Sequence, residues 1–226
     1  MIGDSPYAVL TGDIVKSTLL PPGALDRVRS DLFHAVDQVK GWDKGLVRGK
    51  AEFFGGDAWQ LLLTDPRRAL RVAVYLRAAL LASGAVDTRV SVGLGAVDKV
   101  SPSRISLSMG EAFQLSGRGL NNMTSLSRLT IEIPTSAGQL AAWLPVVAHL
   151  CDALIARWTR RQAEIICLAA HPAEPIHEEI GRQLSPPVAK QTITKALNSA
   201  DWRVVREAIH RFENTSWDAL LKPDAL

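Results

Sequence analysis

Apolar residues recur along this chain with two periods, and the change from one to the other divides it. Tyr7–Leu10 (YAVL) is a short apolar run ending at Thr11-Gly12-Asp13, the pattern of a buried strand meeting a turn. From Ala24 to Lys40, Leu25, Val28, Leu32, Val36 and Val39 fall at helical spacing behind Pro21-Pro22-Gly23, and predict a helix. Two extended segments between Leu46 and Leu63 flank Gly55-Gly56-Asp57 and predict a hairpin. Thr64-Asp65-Pro66 is a helix start, and Ala69, Leu70, Ala73, Leu76 and Leu80 line one face of the helix it opens. Val90, Val92 and Leu94 alternate with Ser91 and Gly93, as in a half-buried strand. A helix is predicted from about Gly110 to Asn121, and a strand from Leu126 to Ile133.

After Pro134 the period stays helical. Gln139–Arg157, Arg160–Ala170, Ile176–Leu184, Val188–Asn198 and Asp201–Phe212 all read as helices, with no strand between them. The fold class is therefore α+β, with an α+β part over residues 1–136, a connecting helix over 137–158 and an all-α part over 159–226. The uncharged stretch Ile133–Cys151 carries Pro134, Ser136, Gln139, Pro145 and His149. A membrane span needs ~20 predominantly apolar residues, so this stretch is expected to be a core helix.

Composition narrows the classes. The 226 residues are 47% hydrophobic and 22% charged, which excludes a disordered chain. A net charge of +3 is too small to mark a nucleic-acid binder by itself. The run Arg182–Arg211, however, holds six Lys and Arg against Asp201 and Glu207, a local basic excess. Cys151 and Cys167 lie in apolar runs and are expected as buried free thiols, and no cysteine–histidine spacing suggests zinc. The scattered tryptophans form no stacking platform and are expected as core or interface anchors. MIGDSPYAVL lacks a signal pattern, so a cytoplasmic protein with no membrane partner is expected.

Gly12-Asp13-Ile14-Val15-Lys16-Ser17-Thr18 is the sharpest local feature. An aspartate past a strand, followed by a turn, sets a carboxylate beside backbone N–H groups. The carboxylate can take a divalent cation, Mg2+ or Mn2+, while the amides of Ile14, Val15, Lys16, Ser17 and Thr18 take phosphate oxygens. Asp57, at the hairpin tip, is the second metal candidate, since magnesium needs only one or two carboxylates beside phosphate. Aspartates also end turns with no further role. Gln114 and Arg118 lie i,i+4 on one face of the predicted helix after Gly110-Glu111-Ala112, suited to a ribose and to a phosphate. The bland alternative is an exposed polar face.

Taken together, these segments resemble the catalytic domain of class III nucleotidyl cyclases over about Tyr7–Leu129. The matching features are Gly12-Asp13-Ile14, Gly56-Asp57, the strand Arg89–Gly95 and Gly110-Glu111-Ala112, with Gln114 where the family has Asn and Arg118 on the family's Arg. The resemblance implies a ferredoxin-like βαββαβ core and a head-to-tail homodimer. In it Asp13 and Asp57 hold metal, and Gln114 and Arg118 of the second subunit serve catalysis. The implied reaction is attack of a nucleoside triphosphate's 3′-hydroxyl on its own α-phosphate. Phe53 stands where the family has a base-recognising lysine, with Lys50 nearby but out of phase, and Leu107 stands at the second base-reading position.

In the all-α part, Ile176–Leu184 and Val188–Leu197 flank Ser185-Pro186-Pro187 and resemble a helix-turn-helix. Lys190, Gln191, Thr192 and Lys195 face outward in that pattern, as groups that reach base edges and phosphates of double-stranded DNA. Thr159 is the expected N-cap of the supporting helix. A three-helix bundle used only for dimerisation is the alternative. The whole arrangement also resembles the SatD family. The sequence thus supports a nucleotide- and metal-binding regulator with a DNA-binding tail. An active nucleotidyl cyclase with a helical appendage is the first alternative, and a protein-interaction module with a decayed site is the other.

Overall fold

A computed structural model describes residues 5–84 and 86–221; residues 1–4, where the signal pattern was sought, lie outside the described part. Five strands form one sheet in the order β2-β3-β1-β4-β5: β1 (Tyr7–Ile14), β2 (Val47–Phe54), β3 (Ala58–Leu63), β4 (Thr88–Gly95) and β5 (Leu129–Glu132). The first four pair antiparallel, and β5 adds parallel to β4. Helix α1 (Ala24–Lys40) has the bounds that its apolar period predicts, with Leu25 only half-buried at its start. It buries Val28, Leu32, Ala35, Val36 and Val39 against the sheet.

One sheet face is covered by α1, α2 (Ala69–Ser83) and α4 (Gln139–Ile155), which share a hydrophobic cluster with Ala8, Leu10, Trp59, Leu61, Val90 and Val92. The other face carries α3 (Glu111–Asn122), whose Ala112 shares a small cluster with Val9, Leu62, Val97 and Ile105. Helix α3 approaches very closely because Gly93 lacks a side chain: a Cβ there would fall 2.3 Å from the Ala112 carbonyl oxygen. The start of α2 is modified. Asp65 caps the Arg67 amide at 3.0 Å, and one 3-10 turn precedes the helix proper.

Helices α5 (Arg160–Ala169), α6 (His177–Gln183), α7 (Lys190–Ser199), α8 (Trp202–Glu213) and α9 (Trp217–Leu220) complete the described chain. Thr159 caps α5 in a reciprocal arrangement with Gln162. The change of element type after Pro134 brings no gap in the core, because the cluster that begins in β1 runs through α5–α8 to Leu221. Arg71 of α2 fastens the tail from within. This buried guanidinium donates to both Glu213 carboxylate oxygens, at 2.7 and 2.8 Å, and to the Ala170 carbonyl at 3.2 Å.

Helix α4 departs from expectation. It buries Leu144, Ala148, Cys151, Asp152 and Ile155, yet Trp143 and Leu150 are more than 60% exposed and Val146 is exposed beside them. Packing on β5 at the sheet's margin covers only one side of a helix that is apolar all round. No helix among the described residues is long and apolar enough to cross a membrane. Both cysteines are free thiols, Cys151 buried and Cys167, against expectation, half-buried; burial pushes Cys151 up to about 11 and Cys167 up to about 12.

Candidate functional site

The end of β1 is held from three sides. Gly12 lies under Trp59: a Cβ at residue 12 would be 2.4 Å from the Arg89 carbonyl oxygen and 2.5 Å from the indole. The indole Nε1 donates to Thr88 Oγ1 at 2.9 Å, and that hydroxyl donates to the Asp13 carbonyl at 2.6 Å. Below, Arg77 of α2 is fully buried between two carboxylates, donating to Asp87 at 2.7 and 3.0 Å and to Asp152 at 2.8 Å. Burial alone would raise the Asp87 pKa, but the Arg77 hydrogen bonds and charge outweigh it and hold Asp87 below its ordinary value. Asp87 in turn accepts from the Thr88 amide, and its carbonyl accepts from the Val15 amide at 3.0 Å.

Antiparallel register then places the acidic pair. Asp13 pairs with Ala58 on one side and with Arg89 on the other, so Asp57, the hairpin residue before Ala58, arrives next to Asp13. Both aspartates line one cavity of about 370 Å³ with Ile14–Thr18, Arg89, Ser125 and Arg128. Arg89 donates from Nε to Asp13 Oδ1 at 2.8 Å and from Nη2 to Oδ2. The hydrogen bond to Asp13 raises the Arg89 pKa against the cost of burial, with the charges of Asp13 and Asp57 adding to the effect. Ser17 Oγ donates to Asp57 Oδ2. Arg128 is anchored by its Nη1 on Asp87 at 3.0 Å and by its backbone amide on Asp152 at 2.7 Å.

The cavity wall thus carries Lys16, Arg89 and Arg128 against two carboxylates. Such a lining can take a cation on the acids and a multiply charged anion on the bases. Among the described residues no three His, Cys, Asp or Glu side chains group as a metal cluster, so a cation here would rest on two carboxylates and on what its ligand supplies. One expected donor is committed elsewhere: the Val15 amide is spent on Asp87, because the β1–β4 pairing continues one residue past Ile14. Lys16 adopts a left-handed backbone (φ 55°) that turns the chain into the 3-10 turn Ser17–Leu19.

Gln114 and Arg118 do not join this cavity in the same chain. Both are exposed on α3, opposite its buried residues Ala112, Leu115, Ser116, Gly119 and Leu120. Phe53 points to the core, packing edge-on against Phe33 at 5.5 Å beneath the Arg29 guanidinium. The polar residue on the aspartates' face of β2 is its neighbour Glu52, which pairs with Gln60 and accepts from Arg104 Nε at 2.6 Å. Lys50 and Leu107 are exposed.

Lys190, Gln191, Thr192 and Lys195 are all exposed on α7, while Ile193 and Leu197 are buried. Lys190, Gln191, Lys195 and Asn198 border a shallow open depression with Thr194 and Ser199. Helix α6 meets α7 through residues 184–189. The Val188 amide donates to the Gly181 carbonyl at 3.0 Å, and His177 Nδ1 lies 2.8 Å from Thr194 Oγ1.

Arg89, Ser125 and Arg128 were not foreseen as site residues. Arg89 had a signal: it is out of phase with Val90, Val92 and Leu94, so it had to face away from the core. Ser125 and Arg128 had none, since their place depends on the return of β5 beside β4.

No protein-family model and no curated protein matches the chain. Among solved structures, the crystal structure of the guanylyl cyclase Cya2 is similar to it, with 19% sequence identity and a TM-score of 0.39 over 56% of this chain and 74% of that one.

Proposed function

We infer that the cavity at the end of β1 binds a divalent cation, Mg2+ or Mn2+, together with the polyphosphate of a nucleotide. The observation that carries this reading is the meeting of Asp13 and Asp57 in one cavity with the turn at Lys16–Thr18, Arg89 and Arg128. Carboxylates for the metal, with guanidinium, ammonium and amide donors for phosphate, form the donor set that metal–polyphosphate complexes require. Asp13 and Asp57 would hold the metal, whose charge would offset that of the phosphates, and Arg128, pinned by Asp87 and Asp152, would offer a fixed cation.

The order β2-β3-β1-β4, with α1 and α2 on one face, supports reading that part as a ferredoxin-like βαββαβ core. On it rests the resemblance to class III nucleotidyl cyclases. In that reading Gln114 and Arg118, exposed on α3, complete the site of a second copy in a homodimer. Turnover to a cyclic nucleotide is the stronger form of the proposal. Phe53, committed to the core, argues that purine recognition differs from the family's pattern.

For the tail, the helix-turn-helix and SatD resemblances lead to a proposal of double-stranded DNA binding through α7. Its support is the exposure of Lys190, Gln191, Thr192 and Lys195 on a helix with no acidic residue.

A thermal-shift panel of nucleoside triphosphates with Mn2+ or Mg2+ tests the pocket. Binding to the native state raises the melting temperature, and Asp13→Asn and Asp57→Asn should each abolish the rise. An unchanged melting temperature across the whole panel ends the nucleotide reading.

A further inference from the structure

Both oxygens of Asp13 are engaged by Arg89, one by Nε and the other by Nη2. This two-point pair is the most directional contact a carboxylate makes with a protein cation. Cross-strand pairing enforces it, because residues 13 and 89 are direct partners in the β1–β4 ladder. A divalent ion approaching Asp13 therefore meets a positive charge already on the ligating edge of the carboxylate. The pair is not locked away. Asp13 and Arg89 keep 18% and 30% of their side-chain surface, and both border the same cavity. Arg128, the other arginine there, is tied to two carboxylates behind the wall, whereas the two bonds to Asp13 are the side-chain hydrogen bonds Arg89 makes among the described residues.

We propose that Arg89 is an exchanging site residue: it holds Asp13 until a divalent cation takes the carboxylate, then turns onto the polyphosphate, so that cation and polyphosphate bind as a unit. This rests on the nucleotide-pocket reading and adds an order of events to it. The cation alone binds weakly because it must displace a guanidinium, and a polyphosphate alone binds weakly because Asp13 still claims Arg89. Together they relieve each other, each supplying the partner the other removes. That is reciprocal coupling between two ligands in one cavity.

The test uses the full chain and two probes, Mn2+ alone and the Mn2+ complex of inorganic tripolyphosphate. Free Mn2+ is followed by electron paramagnetic resonance, and the complex by titration calorimetry. Arg89→Lys keeps the charge and loses the two-point grip; Arg89→Met loses both. A partly exposed pair is worth about 1 kcal/mol, so Arg89→Lys should bind Mn2+ alone about fivefold more tightly than wild type. Arg89→Met should also bind Mn2+ more tightly, and the tripolyphosphate complex more weakly. A merely structural role for Arg89 would weaken both probes.

Equal Mn2+ affinity in wild type and Arg89→Lys overturns the exchange, and so does a gain confined to Arg89→Met, which charge removal alone explains. If Asp57→Asn abolishes Mn2+ binding while Arg89→Lys leaves it unchanged, the pocket reading stands without the exchange. If none of these proteins binds either Mn2+ or its tripolyphosphate complex, both fall. Should Arg89→Met fail to fold, Arg89→Lys carries the comparison.

Discussion

Asp13 lies opposite Ala58 in the β1–β3 ladder, so Asp57 is delivered to Asp13 by the tightness of one hairpin rather than by any long-range loop. Asp57→Asn should therefore fold with little loss, because among the described residues its side chain hydrogen-bonds to Ser17 Oγ alone, whereas Asp13→Asn should lose about 1 kcal/mol with its partly exposed Arg89 pair. The ligand response should disappear. At a ligand concentration 100-fold above Kd, wild type gains about 2.7 kcal/mol, a rise of ~5–10 °C for a chain of this size. Differential scanning fluorimetry reads both effects in one experiment.

Gly12→Ala should be far more costly than its size suggests. The added Cβ would meet the Arg89 carbonyl oxygen at 2.4 Å and the Trp59 ring at 2.5 Å, and neither a ladder carbonyl nor a buried indole can step aside. A loss of about 3 kcal/mol is expected from urea denaturation, at the upper end for overpacking.

Arg77→Met leaves Asp87 and Asp152 buried without their shared cation, and should destabilise the protein by about 3–5 kcal/mol at pH 7. The pH dependence carries the sign. In wild type the folded pKa of Asp87 is depressed, burial being outweighed by Arg77, so its contribution is complete above the unfolded value of about 3.9 and is lost as pH falls through the folded value. In the variant the main force opposing burial is gone, so the Asp87 carboxyl moves upward from its wild-type value against the remaining pull of Arg128 and the Thr88 amide. The variant's deficit should then shrink as pH falls from 7 toward 5, where wild type is flat. Urea midpoints at the two pH values decide it.

Gln114 and Arg118 are exposed on α3 and stand outside the cavity of their own chain. If a second copy supplies them, Asp57→Asn and Arg118→Ala chains should each fail to form a complete site, and mixing them should recover function. Equal mixing makes heterodimers with one intact site, so recovery should reach roughly a quarter of the wild-type level of nucleotide binding or turnover. No recovery on mixing, with both variants folded, would remove the two-chain site.

Lys190→Ala with Lys195→Ala should weaken DNA binding and lower the slope of log affinity against log salt by about 2, one for each phosphate no longer neutralised. Both side chains are exposed, so the melting temperature should not move. DNA binding that keeps the wild-type salt slope would leave α7 as a surface of the helical bundle only.

Elements that bury one face were legible in the chain. The bounds of α1 follow from Val28, Leu32, Val36 and Val39, and those of β4 from Val90, Val92 and Leu94, because apolar period records which side meets the core. The same logic failed for α4. Its stripe of Trp143, Val146 and Leu150 is as apolar as its buried side, so composition could not tell that only one side would find a partner within the chain. Nor could period tell that the Val15 amide would be spent on the Asp87 carbonyl, a bond that depends on how far the β1–β4 ladder runs.

Two aspartates beside glycines, on turns after strand-like runs, were fixed by local chemistry, and so was a basic helical face at residues 190–195. Their meeting was not. Strand order brought Arg89 onto Asp13, β5 brought Arg128 to the cavity wall, and the buried Arg77 joined Asp87 to Asp152 behind it. Local period encodes which face of an element is buried, whereas register and the return of distant segments are set by packing across the whole sheet. The phase of Arg89 against Val90, Val92 and Leu94 marks the way it faces, but nothing around either residue marks that the ladder carries it to Asp13.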